Sequence, residues 1–547
     1  AEPARDPQYP PGSRDVVYTT DLGGNEQAQI VRLNRGSGQT VLLTDGVNKH
    51  GSPLFSRDGR RMAFSSNARN GTDMDVWVGD GQDPTSNRLV AELSGYWGPA
   101  DWSPDGERLV LWKYVSSTLS ELHVLHVASG TVRRLSPEDR PASYGEAIFD
   151  GSANGLFVTS DRDGEFTQLY HLDLGTMTWT PRSADVPWNV DGLALSPDGK
   201  TLAFLVNEDG YARVFLLDTR SGKRQVLEAL PKGIVTGLRF ADAADTLGFT
   251  LVTPARTGNA WTYDLKKKAL VQWTDSEVGG LDPAAFVEPE LIHYPTFDGL
   301  SIPAFYYRPA GAGPFPVVID IHGGPEGQSR PWFSASTQFL VNESKVAVVV
   351  PNVRGSRGYG KSWLELDNGP FKREDSVKDI GALLDWIATR PELNPDRVAV
   401  QGGSYGGYMV LAALVHFSDR IRAGVDVVGI SNFVTFLENT RPYRQDVRRV
   451  EYGDERDAAQ REKLEAISPL NHIDRIDAAL FVGHGANDPR VPVGEAEQVV
   501  AAVRASGREA WYMLARNEGH GFSKKTNRDL FTLLRALFYE QYLVGGE

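Results

Sequence analysis

The 547-residue chain contains no cysteine. Disulfide cross-links, thiolate metal sites and a cysteine nucleophile are therefore excluded. Nor does any apolar run approach the ~20 residues that a membrane-spanning helix needs. Basic charge is in deficit: 57 Lys and Arg stand against 71 Asp and Glu, a net charge of −14. That balance argues against nucleic acid or an anionic membrane as partner and favours solubility. There is no initiator methionine either; the chain begins Ala1-Glu2-Pro3-Ala4. Such a start suits a protein matured by signal cleavage or a trimmed chain. Taken with the missing cysteine, it points to a bacterial periplasmic or secreted protein, with the cytoplasm as the alternative. What is present, 41% hydrophobic and 23% charged residues, is the composition of a soluble globular protein, too long for one ordinary core.

The N-terminal half repeats itself. Ser56-Arg57-Asp58-Gly59, Ser103-Pro104-Asp105-Gly106 and Ser196-Pro197-Asp198-Gly199 each lead into an apolar strand, with degenerate copies around Gly12, Ala153 and Ala244. The anchors at 12, 59, 106, 153, 199 and 244 are spaced by 47, 47, 47, 46 and 45 residues. Within a unit, runs such as Glu121–Val127 and Thr131–Leu135 alternate apolar and polar, the period of a half-buried strand. Four short strands repeated at this regular interval predict the blades of a β-propeller rather than a sandwich array. Six units are visible. A seventh blade would need an upstream unit or completion by residues near 281–294.

Near residue 285 the pattern changes. Phe315–His322, Val346–Val350, Val425–Val428 and Ala478–Val482 are continuous apolar runs, as in parallel strands covered on both faces. Between them, Val377, Ile380, Leu384 and Ile387 form one helical stripe. The chain is thus predicted to be multi-domain, with a β-propeller over 7–285 and a doubly wound α/β-hydrolase domain over 286–547. The active site of such a sheet lies at the carboxyl ends of its strands.

One strand end carries chemistry. Val398–Val400 leads into Gly402-Gly403-Ser404-Tyr405-Gly406-Gly407 and then an apolar helix, the nucleophile-elbow pattern G-x-S-x-G. A serine hydroxyl needs a base, and in this fold the order is Ser, acid, His. Asp488 follows the strand ending Val482-Gly483, and His520 follows the strand Trp511–Leu514, so both loops fall on the same edge as Ser404. His520 would take the serine proton and Asp488 would orient the imidazole. His484 precedes Asp488, against the order. His416 and His472 sit in or beside helices, and Asp426 lies inside an apolar strand. The oxyanion hole should use the Tyr405 N–H and one from the loop His322-Gly323-Gly324-Pro325.

Together with Asn352-Val353-Arg354-Gly355-Ser356, Ser468-Pro469, Asn487–Pro492 and Glu518–Phe522, this layout resembles the prolyl oligopeptidase family of serine peptidases. The likeness covers nearly the full chain, and the hydrolase half is most like the acylaminoacyl-peptidase and bacterial dipeptidyl-peptidase branch. The resemblance implies a propeller capping the site and short peptides as substrates, with no cofactor or metal; a homo-oligomer is left open. It implies that Arg490 bonds a substrate carbonyl and that Ile430, Phe433 and Phe436 line the pocket for the residue before the cut. His322 stands where several branches place a tyrosine, so the Gly324 N–H is implied as the second oxyanion donor, as in the acylaminoacyl branch. Free versus blocked amino termini, and an esterase or a catalytically inactive propeller protein as rival readings, stay open.

Overall fold

In the computed structural model, residues 2–545 are described; Ala1 and positions 546 and 547 lie outside them. The repeated turn shows why the repeat exists. Ser56 Oγ donates to Asp58 Oδ1 at 2.6 Å and Ser196 Oγ to Asp198 Oδ1 at 2.8 Å. The same hydroxyls accept from the N–H groups of Arg61 and Thr201, which opens the next strand. The glycine then turns the chain with positive φ, 69° at Gly59 and 71° at Gly199. The degenerate anchors hold the same conformation without glycine: φ is 62° at Ala153 and 61° at Ala244. All six anchors, with Gly12 and Gly106, are left-handed and join the first to the second strand of a unit.

Each unit forms one four-stranded antiparallel sheet of consecutive strands, over residues 5–42, 50–91, 96–134, 144–181, 189–226 and 234–272. The N-terminal half is therefore a six-bladed propeller whose blades exchange no strand. Blades pack face to face: Ala63 and Val76 of the second share a core with Leu109, Leu111 and Leu125 of the third. Residues 281–294 build no seventh blade. Pro283–Ala285 is a single 3-10 turn, and the strand that follows joins the other domain because its apolar side chains face that core.

The second domain is an α/β-hydrolase fold. Its strands are β1 (Glu290–Pro295), β2 (Ser301–Tyr307), β3 (Phe315–Ile321), β4 (Ala347–Pro351), β5 (Leu393–Gly403), β6 (Ala423–Val427), β7 (Ala479–Gly485) and β8 (Ala510–Ala515). Their order across the sheet is β1-β2-β4-β3-β5-β6-β7-β8. Only the pairings of β1 with β2 and β2 with β4 are antiparallel. The continuous apolar runs are buried on both faces, one against the helices α1 (Asp375–Ala388) and α2 (Tyr405–His416). Helix α1 inserts Val377, Ile380, Leu384 and Ile387, and α2 is buried from Tyr405 to Val415.

The propeller is bonded to this domain at several blades. Lys361 N donates to Glu165 O at 2.8 Å, Asn207 Nδ2 to Gln328 Oε1 at 2.7 Å, and Arg330 Nε to Gly210 O at 2.8 Å.

Candidate active site

The C-terminal ends of β5 to β8 lie side by side, Gly403 opposite Val427, Val427 opposite Gly483, and Gly485 opposite Ala515. Ser404 is the first residue beyond β5 and caps α2 with φ 60° and ψ −121°. A side chain held there stores ~1–3 kcal/mol of strain. Its N–H donates to Val427 O at 2.8 Å, and its carbonyl accepts from Gly407 N and Tyr408 N. Two glycines make the turn sterically feasible. A Cβ on Gly402 would lie 2.5 Å from Gly406 O, and one on Gly406 would lie 2.2 Å from Ile321 O.

His520 Nδ1 donates to Asp488 Oδ2 at 2.7 Å. The other oxygen, Asp488 Oδ1, accepts from the N–H groups of Arg490 (2.8 Å) and Val491 (3.1 Å), so the carboxylate cannot turn. The two loops interlock, since Asn487 N donates to Glu518 O at 2.9 Å. Glu518 in turn receives Lys524 N, Asn527 Nδ2 and Ser523 Oγ, which pins the loop after β8. With Nδ1 committed to Asp488, His520 Nε2 has no hydrogen-bond partner among the described residues. The Ser404–His520 bond itself is not closed here; such bonds are often long until substrate is bound.

The competing residues are elsewhere engaged. His484 is fully buried, its Nε2 against Val491 O at 3.0 Å and 3.6 Å from Asp488, and burial lowers its pKa. His416 pairs with Glu374 and His472 with Ala466 O, both at the surface. Asp426 lies beneath the elbow, where its Oδ1 would meet a Cβ on Gly407 or Gly429, and burial pushes its carboxyl up to about 7.

The loop after β3 lies against the serine. A Cβ on Gly323 would be 3.3 Å from Ser404 Cβ and 2.7 Å from Gly403 O. Gly324 has φ 133°, and neither its N–H nor that of Tyr405 has an acceptor among the described residues. His322 holds the loop from behind, with Nδ1 at 2.9 Å from Gly323 O and Nε2 at 2.7 Å from Ser356 Oγ; burial keeps it neutral by lowering its pKa.

Arg490 reaches the propeller: its Nε donates to Glu26 of the first blade, while half of its side chain stays exposed. Glu26 also faces Lys49 and Arg444, which together with Arg490 hold its carboxyl below the usual range despite burial. The neighbouring Gly23-Gly24 presses on both site loops. Asn487 Nδ2 donates to Gly23 O at 3.0 Å, and a Cβ on Gly24 would lie 2.3 Å from Gly519 N. Sequence reasoning missed Gly24 and Glu26. Their partners in the site loops, Gly519 and Arg490, lie more than 460 residues along the chain, and the only local sign was a glycine pair breaking the repeat. Ile430, Phe433 and Phe436 do not stand open as a pocket wall. They are buried core residues, Phe433 against Tyr408 at 4.6 Å and Phe436 against Tyr452 at 5.7 Å.

Between propeller and hydrolase lies a chamber of about 550 Å³, walled by Tyr96, Trp112, Tyr114, Glu146 and Asp191, with Arg357 on its floor. None of Ser404, Asp488 and His520 lines it. Its floor is tied to the loop after β3, since Arg357 N donates to Gly327 O at 2.9 Å. Burial and the facing Asp191 carboxylate raise the pKa of Glu146.

Residues 331–545 match the Prolyl oligopeptidase family and residues 52–234 match the TolB beta propeller domain. The chain is similar to Dipeptidyl aminopeptidase BIII of Pseudoxanthomonas mexicana, 26% identical over 95% of this chain and 91% of that protein. It is also similar to the Acylamino-acid-releasing enzyme of Arabidopsis thaliana, 24% identical over 96% of this chain and 62% of that one. Among solved structures, a Mycobacterium tuberculosis puromycin-hydrolyzing peptidase superimposes with a TM-score of 0.85 at 21% identity, covering 99% of this chain and 86% of that one.

Proposed function

We propose that this chain, a serine peptidase of the prolyl oligopeptidase family, removes dipeptides from short peptides with a free amino terminus. In this reading Ser404 Oγ attacks the scissile carbonyl carbon while His520 Nε2 accepts its proton. The oxyanion is held by the N–H groups of Tyr405 and Gly324, each such donor worth ~10²–10³ in rate. His520 returns the proton to the leaving amine, the C–N bond breaks, and water drawn through the same imidazole hydrolyses the Ser404 ester. Asp488 keeps the imidazole in the required tautomer. The observation that carries the reading is the 2.7 Å His520–Asp488 bond at the sheet edge that also bears the strained Ser404.

For the substrate class, the support is the chamber. Glu146 and Asp191 both line it; Asp191 is already paired with Arg330 at 3.6 Å, whereas burial and Asp191 raise the pKa of Glu146 and no cation offsets them. A buried carboxyl without a cation is stabilised in its charged form by an incoming ammonium, which an acetylated terminus does not offer. The names of the dipeptidyl relatives agree with this.

The test is a peptide-library digest with free and acetylated amino termini. Free peptides should lose dipeptides and acetylated ones should resist; preference for acetylated peptides would move the chain to the acylaminoacyl class. Turnover of esters without peptides would make it an esterase. Ser404→Ala should fall below ~1% of wild-type activity, and retention of more would remove Ser404 from the mechanism.

A further inference from the structure

Behind the proposed oxyanion hole lies a buried ionic cluster that the reaction itself does not use. The Arg373 guanidinium is fully enclosed, with Nη1 donating to Asp367 Oδ2 and Nη2 to Glu451 Oε1, both at 2.8 Å. Nη2 also reaches Glu451 O. Asp367 Oδ2 accepts from the Tyr405 hydroxyl at 3.2 Å, and Ser376 Oγ lies 2.9 Å from that same hydroxyl. Tyr405 opens α2, so the cluster grips the residue whose backbone N–H is assigned to the oxyanion.

The other wall is gripped as well. Helix α3 (Pro442–Tyr452) directs Tyr452 OH at 3.2 Å and Arg448 Nη1 at 3.4 Å onto Gly324 O. Two residues past Gly324, the Glu326 carboxyl raises the pKa of Glu451. The rings of Tyr405 and Tyr452 stack at 6.1 Å, and the Arg373 guanidinium sits 5.3 Å and 5.1 Å from their centres.

Buried ion clusters are poor devices for stability, because apolar packing of the same volume usually serves better. This one touches both sides of one small gap. We propose that the Arg373–Asp367–Glu451 cluster, acting through Tyr405 and Tyr452, is the positioning device of the oxyanion hole. The proposal rests on the assignment of Tyr405 and Gly324 as oxyanion donors. Facing Glu451 are Arg373 and Asp367 from the segment before α1, Glu326 from the Gly324 loop, Tyr114 from the propeller, and Arg448 and Tyr452 from its own helix. Burial is the largest influence and lifts its carboxyl to about 8, against the pull of Arg373 and with the push of Glu326 and Asp367.

Tyr452→Phe removes one hydroxyl from the Gly324 carbonyl and leaves the ionic cluster whole. It should lower kcat ~10-fold with KM within about twofold, since sub-ångström misplacement acts on the chemical step. Affinity for a matching peptide aldehyde, whose adduct with Ser404 fills the oxyanion hole, should weaken by the same factor. Glu451→Gln keeps the shape of the side chain but weakens its pairing with Arg373. It should lower kcat and aldehyde affinity in proportion, with KM within about twofold. Unchanged kcat and aldehyde affinity in both variants would overturn the proposal. So would a parallel loss of kcat and folded protein in both variants. Those results with an inactive Ser404→Ala refute the positioning device alone, whereas an active Ser404→Ala removes the reading beneath it.

Discussion

The two halves of the molecule use the left-handed backbone for opposite ends. The propeller spends it six times on the same connection, at Gly12, Gly59, Gly106, Ala153, Gly199 and Ala244. Each turn is stitched locally, and losing one leaves five. The hydrolase uses it at scattered single positions, among them Ser404, in a strand-to-helix turn where glycines at 402 and 406 make room. Repetition makes the first half tolerant and easy to recognise; singularity makes the second half fragile at a few points. The halves are also not independent, since Gly23-Gly24 of the first blade rests on the loops of Asp488 and His520.

The largest expected effect breaks the comparison at that contact. Gly24→Val would drive a side chain into Gly519, one residue before His520. We expect ~10²-fold loss of kcat/KM, because displacing the imidazole by about an ångström suffices. Gly12→Ala is the control: Gly12 has equal left-handed geometry but open space around it. It should cost ~1–2 kcal/mol of turn strain and leave kcat/KM intact. Equal activity in both variants would show the propeller to be a passive cap at this point.

A smaller effect separates the halves by pH. In the turns, serine hydrogen bonds hold Asp58 and Asp198 below the usual carboxylate range. Stability from a depressed acid is present above its unfolded pKa and lost as pH falls through the folded one. In the hydrolase, burial lifts Asp426 to about 7 and Glu451 to about 8. Stability from a raised acid is present below its unfolded pKa and is lost as pH rises through the folded value. Amide exchange, corrected for its intrinsic rate, should therefore speed below pH 4 at the turns of Asp58 and Asp198. It should speed in the segment 426–452 as pH rises from about 4 to about 8 and level off beyond, and Asp426→Asn should reduce this change. Alkaline loosening of both regions alike would remove the distinction.

What could be read in the sequence follows the same division. The repeat was legible even at Ala153 and Ala244, because spacing carried the turn where glycine did not. The Asp488–His520 pair was legible because the ends of adjacent strands bring their loops together, and Ser404 because a strand-to-helix turn ends β5 on the same sheet edge. Phe433 and Phe436 could not be separated from core residues, since an apolar side chain at a helix start reads the same whether it faces a pocket or a neighbour. Glu26 and Gly24 were invisible for a different reason: their importance arises only when blade one meets the hydrolase. Arg373, Asp367 and Glu451 form no spaced motif, and burial of their charges shows only in three dimensions. The idea that residues near 281–294 might complete a blade failed because strand pattern alone does not say which sheet a strand joins.

The smallest effects sharpen the comparison most. A non-glycine residue in left-handed geometry carries ~1–2 kcal/mol of steric cost, while glycine gives up ~0.5–1 kcal/mol of chain entropy on folding. Ala153→Gly and Ala244→Gly should then each stabilise the propeller by ~0.5–1 kcal/mol. Lying in different blades, the two should add. Ser404→Gly relieves the same kind of strain, so it should be more stable than Ser404→Ala by ~1 kcal/mol or more, with both inactive. Chemical denaturation of the three glycine variants and Ser404→Ala measures all of this at once. If the alanine anchors gain and Ser404 does not, the elbow is held by its surroundings at no local cost, and strain at Ser404 plays no part in presenting its hydroxyl. If all three gain, the same backbone cost is tolerated in the propeller for want of selection against it, and kept at Ser404 because only that geometry lifts Oγ clear of the sheet.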